Sequence, residues 1–340
     1  MTRKQNKKIL LAHGGGGRLT NDLVANTIVP KFSNDILSKL TDSADLDLSS
    51  ASVCFTTDSY VVKPLFFNGG DIGKLAVCGT INDLAVAGAK PLALSFSLII
   101  EEGFELNTLE KVLTSAAQAA RDADVLIVTG DTKVVETGAA DGLFINTAGL
   151  GTKLPGADLS FQRVAPSDKI IVNGNIGDHG MTIISQREDI KFDSPLQSDC
   201  ASLADLISKL MKNPGPVKFM RDPTRGGLAA TLNEIASAGD CDIELNENDI
   251  PIDPTVQAAA DMLGFDVLNI ANEGKVILVV EEDSARDVLK ICRSDPLGKD
   301  AAIIGTVCKP QGAPVVELIT KIGGKRIVQT PYGRELPRIC

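Results

Sequence analysis

From Val53 onward the chain alternates between two hydrophobic periods. Val53 to Thr57 is a β-branched and aromatic run that resumes at Tyr60 to Val62, so a strand is predicted with Asp58 inside or beside it. Gly69 and Gly70 lead into Asp71 to Gly88, whose small residues Ala76, Gly79, Ala85, Ala87 and Gly88 predict a helix held close to a neighbour and carrying Asn82 and Asp83. Pro91 to Ile100 predicts a buried strand, and Thr108 to Asp122 a helix capped by Asn107 or Thr108. Asp124 to Val128 predicts a strand ending in Thr129-Gly130-Asp131-Thr132-Lys133, and Leu143 to Ala148 another. Asp58, Asp83 and Asp131 thus fall on successive elements of one layered unit.

Between Lys153 and Ser167 the pattern loosens around Pro155, Gly156 and Pro166, as at a domain junction. A second set of elements follows: a strand at Lys169 to Asn173, a turn at Gly174 to Gly180 that opens a helix, a helix at Cys200 to Met211, and another from Gly227 to about Ala238. Thr255 to Leu263 and Ser284 to Arg293 predict helices; Lys275 to Glu281, Ala301 to Val307, Val315 to Thr320 and Arg326 to Gln329 predict strands. The expected division is a unit over 1–155, a unit over 165–330 and a tail over 331–340. With two prolines and a glycine, that tail suits neither helix nor central strand; extended, it would reach about 30 Å.

A length of 340 residues with 44% hydrophobic and 23% charged positions fits a folded chain of about two domains. The net charge of −10 and the absence of Trp argue against nucleic acid and anionic lipid as partners. The apolar run Ile9 to Ala12 is too short for a signal sequence and no segment approaches a bilayer span, so a cytoplasmic location is expected. Seven cysteines form no C-x-x-C pair; six read as core or incidental thiols, whereas Cys340 ends the tail beside Arg338, which should favour its thiolate.

The run Gly14-Gly15-Gly16-Gly17 before Arg18 lets backbone N–H groups approach a polyanion, yet the P-loop and dinucleotide fingerprints are both absent. Asp58, Asp83 and Asp131 lie in apolar or glycine-rich settings; each could cap a turn, and together they could hold a divalent cation with nucleotide phosphates. Asp222, ahead of Pro223, reads as a helix N-cap or as a contact to metal or phosphate. Glu273, just before a hydrophobic strand, reads as a solvated turn residue or a carboxyl facing a cleft, and His179 as a turn residue or a phosphate-orienting group.

Taken in order, Ala12 to Gly17, Thr57 to Tyr60 with Pro64 to Phe67, Gly79 to Asp83, Gly130 to Lys133, Gly177 to Gly180, Arg221 to Gly227, Ala271 to Gly274 and Pro337 to Cys340 resemble the HypE family, the carbamoyl dehydratases of [NiFe]-hydrogenase maturation. The resemblance covers essentially the whole chain. It implies a PurM-like fold: an α/β, ATP-binding N-terminal domain that makes a homodimer through its sheet, then an α+β domain. It implies that the partner HypF carbamoylates Cys340, that ATP with Mg²⁺ drives dehydration to a thiocyanate, and that the cyanide passes to iron on a HypC–HypD complex. In that scheme Cys340 is the carrier, with Glu273 and then Lys133 as candidate bases. Gly14, Gly15, Gly16, Gly17, Asp58, Asn82, Asp83, Asp131, Thr132 and Asp222 would meet the nucleotide, and Asp58, Asp83 and Asp131 the metal. Competing readings are another ATP-dependent member of the fold and a non-catalytic assembly protein that docks partners through its dimer surface and tail.

Overall fold

The computed structural model describes residues 17–23, 25, 26, 40, 44–48, 51–188, 190, 196–333 and 338–340. In the first half these form β1 (Ala44–Leu48), β2 (Ala51–Tyr60), the short pair β3 (Phe66–Phe67) and β4 (Gly70–Asp71), β5 (Ala89–Glu101), β6 (Leu126–Thr129), β7 (Thr132–Val135) and β8 (Leu143–Lys153). The main sheet runs β1-β2-β8-β5-β6, with β7 also on β5; β6 and β7 pair parallel to β5 and the other neighbours are antiparallel.

One face of this sheet is covered by the helix Ile72–Val86, with the helix Leu106–Asp122 packed on it. Asp71 caps the first helix by accepting N–H bonds from Gly73 (2.7 Å) and Lys74 (3.2 Å). That helix is buried almost all round, because sheet, second helix and second unit enclose it, which explains its run of small residues. A Cβ on Gly79 would lie 2.3 Å from the Tyr60 hydroxyl, so this helix and β2 approach only because position 79 has no side chain. The second helix starts at Leu106, with Glu105 at its N-cap and no side-chain capping bond, not with the expected Asn107 or Thr108.

The opposite face of the sheet is open. Phe55 pairs with Leu150, Leu150 with Ala93, and Ala93 with Leu126, so these four form one row across the sheet, and Phe55, Leu150 and Leu126 are exposed.

The second half forms β9 (Lys169–Val172), β10 (Val217–Arg221), β11 (Asp242–Asn246), β12 (Ile277–Val280), β13 (Ala302–Cys308), β14 (Val316–Ile319) and β15 (Lys325–Ile327), ordered β10-β12-β9-β13-β11-β14-β15. Helices Asp178–Arg187, Ala204–Leu210, Gly227–Gly239, Pro254–Leu263 and Ala285–Arg293 accompany it. β12 is buried at every position. Among the described residues no helix is long and apolar enough to cross a membrane.

Candidate active site

The end of the chain is docked rather than extended. The Val61 N–H donates to the Cys340 carbonyl (3.2 Å) and the Lys63 N–H to the Arg338 carbonyl (3.3 Å), so the last residues lie as an antiparallel stub along the chain just beyond β2. The Arg338 guanidinium donates to the Val61 carbonyl (2.8 Å), pairs with Asp141 and lies over the Phe144 ring at 5.4 Å. Arg187 reaches the Arg338 carbonyl at 2.9 Å. From the second unit, His179 Nε2 meets the Ile339 carbonyl at 2.8 Å. Tethers from both units therefore hold residues 338–340 in the seam.

At the tip, the Cys340 thiol faces Glu273. Burial pushes this thiol up to about 12; Arg225 opposes the shift, while Glu273, as a charge and a hydrogen-bond partner, and Asp58 add to it. This corrects the expectation of a favoured thiolate, because the Arg338 cation is turned to Asp141. Glu273 is itself buried, and its Oε1 has no hydrogen-bond partner among the described residues. Burial holds its carboxyl well above the usual range, with Asp199, Asp222 and Asp58 adding and Arg225 opposing. Arg225 is raised above its ordinary value, first by its proximity to Cys340, with burial opposing and Asp58 and Glu273 adding.

The backbone under Glu273 is fixed from two sides. The Asp199 carboxylate accepts the N–H groups of Glu273 and Gly274, each at 3.1 Å, and pairs with Lys275 at 3.1 Å. Burial works to raise Asp199, but Lys275, His179 and these bonds outweigh it and hold it below the usual carboxylate range. Asn82 from the first unit donates to the carbonyls of Ala201 (3.0 Å) and Glu273 (3.2 Å) and accepts from the Leu203 N–H (2.8 Å). Asn82, expected as a nucleotide contact, is buried with its amide committed to backbone, and it bolts the two units together.

Nearby, burial raises Asp178 to about 7, with Lys275 opposing and Asp199 adding. A carboxyl whose folded pKa is raised stabilises the fold fully below its unfolded value, near 4, and loses that contribution as pH rises through about 7. Asp178→Asn should therefore flatten the fall in urea midpoint between about pH 4 and 7. An unchanged slope would contradict the assignment.

The three aspartates expected to share a cation do not converge. Thr56 Oγ1 donates to Asp83 Oδ2 at 2.8 Å, and Asp58 lies two residues along the same face of β2. Both carboxylates raise Tyr60, behind burial itself, so they flank that buried phenol. Asp131 instead follows β6 on the far side of β8 and β5, three strand spacings or about 14 Å away. There it is exposed and paired with Lys133 at 2.7 Å, beside exposed Thr132. Among the described residues no group of three or more His, Cys, Asp or Glu side chains could hold a metal ion.

Asp222 is buried and near enough to Glu273 to raise it, but it is no N-cap: the helix starts at Gly227, with Gly226 in the left-handed region. Gly14, Gly15 and Gly16 lie outside the described residues. Gly17 abuts the root of the tail, where its added Cβ would meet the Pro331 carbonyl oxygen at 2.1 Å.

Comparison with known proteins gives this geometry a family. AIR synthase related protein, N-terminal domain, matches residues 41–152 and AIR synthase related protein, C-terminal domain, matches residues 165–316. Carbamoyl dehydratase HypE of Escherichia coli K12 is 48% identical over 337 residues, which span 98% of this chain and 99% of that protein. This chain belongs to the HypE family. A HypE–HypF complex holds a chain with a TM-score of 0.86 and 46% identity, covering 91% of this chain and 99% of that one. A HypE solved in complex with ATP has a TM-score of 0.82 and 43% identity, covering 98% and 100%.

In this HypE-family chain, sequence reasoning missed Arg225, Asp141 and Asp199 and gave His179 no contact with the tail. Arg225 lay within the quoted Arg221 to Gly227 segment, so a signal was present; Asp199, in an unremarkable Ser-Asp-Cys stretch, offered none.

Proposed function

We propose that this chain dehydrates a carbamoyl group carried on its own Cys340 to a thiocyanate, at the expense of ATP, to furnish the cyanide ligand of [NiFe]-hydrogenase iron. The observation that carries the reading is the Cys340 thiol seated against a buried, under-bonded Glu273.

A thiocarbamate oxygen leaves poorly. ATP supplies the phosphoryl group that turns it into a leaving group, and the net change is thiocarbamate plus ATP to thiocyanate, ADP and phosphate. The chain's part is to hold and deprotonate. Of the two N–H protons that the carbamoyl nitrogen loses, one ends on the departing phosphate and Glu273 takes the other; its raised proton affinity suits that step, and Arg225 is the counter-charge that keeps the ionised form within reach. Lys133, on the distant edge strand, is the weaker candidate for this role. Asp58 and Asp83 fit Mg²⁺, which needs one or two carboxylates and completes its shell with water and phosphates; Asp131 stands apart from them. Asp131, Thr132 and Asp222 remain candidate nucleotide contacts, as do Gly14, Gly15, Gly16 and Gly17.

The open apolar row Phe55, Leu150, Ala93 and Leu126 supports a homodimer in which a second copy covers that face. HypF as carbamoyl donor and a HypC–HypD complex as cyanide acceptor complete the scheme, in the cytoplasm.

Incubation with a carbamoyltransferase of the HypF type, carbamoyl phosphate and ATP should yield ADP in step with Cys340 modification. No ADP should form with Cys340→Ala, and Asp83→Asn should form at least about tenfold less. Equal ADP with Cys340→Ala would reject the carrier role; no ADP from the unaltered chain would favour a non-catalytic docking protein.

A further inference from the structure

His179 is fully buried and touches the tail rather than the carboxyl chemistry. Its ring stands edge-on to Phe67, with centroids 5.4 Å apart and planes at 85°. Nε2 lies 2.8 Å from the Ile339 carbonyl and Nδ1 lies 2.7 Å from Ser198 Oγ. A carbonyl can only accept, so Nε2 carries a proton; in the neutral ring Nδ1 is then an acceptor and takes the Ser198 hydroxyl proton. Ser198 Oγ in turn accepts the Cys200 N–H at 3.1 Å, and the Ser198 N–H donates to the Asn68 carbonyl at 2.9 Å. Each polar atom in this chain of contacts has one permitted role.

We propose that His179 is a positioning residue that latches the tail by the Ile339 carbonyl and so sets how closely the group carried on Cys340 approaches Glu273. The inference rests on the proposed function. Because the latch reads a main-chain carbonyl one residue short of the sulfur, it grips the free thiol, the carbamoyl form and the thiocyanate alike. Burial lowers the imidazole's pKa and outweighs both Asp199 and the Ile339 hydrogen bond, which favours the neutral ring this pattern requires.

The test uses full-length His179→Ala, His179→Gln and Ser198→Ala, each checked for wild-type nucleotide binding and cooperative unfolding. Losing one hydrogen bond corresponds to a change of up to about tenfold in tail docking. Maleimide labelling of Cys340, followed on its terminal peptide, should therefore speed up about tenfold in His179→Ala. Carbamoyl loading should stay at the wild-type level, while dehydration slows by a similar factor. Gln, whose amide can donate to the same carbonyl, should recover most of both effects, and Ser198→Ala should move both in the Ala direction by less.

Labelling and dehydration at wild-type rates in folded His179→Ala would overturn the latch. So would a Gln variant as impaired as Ala, which would mark the ring as packing alone. If the unaltered chain never accepts a carbamoyl group, the proposed function fails, yet the labelling comparison still decides the latch.

Discussion

Glu273→Gln is expected to slow dehydration by about 10²- to 10⁴-fold while Cys340 is still carbamoylated and nucleotide still binds. Gln is nearly isosteric with the protonated carboxyl that this site favours, so the fold should persist. What it lacks is proton affinity. The carboxyl is raised by burial and by Asp199, Asp222 and Asp58, a setting that only a group expected to hold a proton occupies without penalty. Single-turnover conversion of pre-carbamoylated protein, followed by mass, isolates this step from loading. Conversion at the wild-type rate would remove Glu273 from the mechanism and return attention to Lys133.

Asn82→Leu is expected to lower stability by about 3 kcal/mol or more, because two carbonyls and one N–H would be left unsatisfied in the interior. In a chain of this size that is about 4 °C in melting temperature. Dehydration should fall too, since the Glu273 carbonyl would lose its tether to the first unit. Thermal unfolding checks the first effect. An unshifted melting temperature combined with weakened nucleotide binding would restore Asn82 as a nucleotide contact.

The elements that were legible are those whose small or apolar composition is imposed by burial. Asp71 to Gly88 was readable as a close-packed helix because Gly79 must clear Tyr60, and β12 because all of its positions are buried. β10 and β11 were missed for a physical reason: Val217–Arg221 mixes cations into a five-residue run behind Pro214 and Pro216, and Asp242–Asn246 alternates charged and apolar residues over too short a span.

At the site, Glu273 could be suspected because it opens a hydrophobic strand, and Cys340 because it ends the sequence. The tail's seating could not. It depends on Asp141, Phe144, His179 and Arg187, which are remote in sequence and meet Arg338 and Ile339 only through the fold. The same limit bears on the aspartates: Asp131 resembles Asp58 in local setting, yet two intervening strands separate them.

The most direct measurement is the intact mass of the Cys340 peptide after loading by a HypF-type carbamoyltransferase and addition of ATP. The account predicts a carbamoyl adduct on Cys340 that loses one water only when ATP is present. An adduct that persists with ATP, or a modification found on another residue while Cys340 stays free, would contradict it.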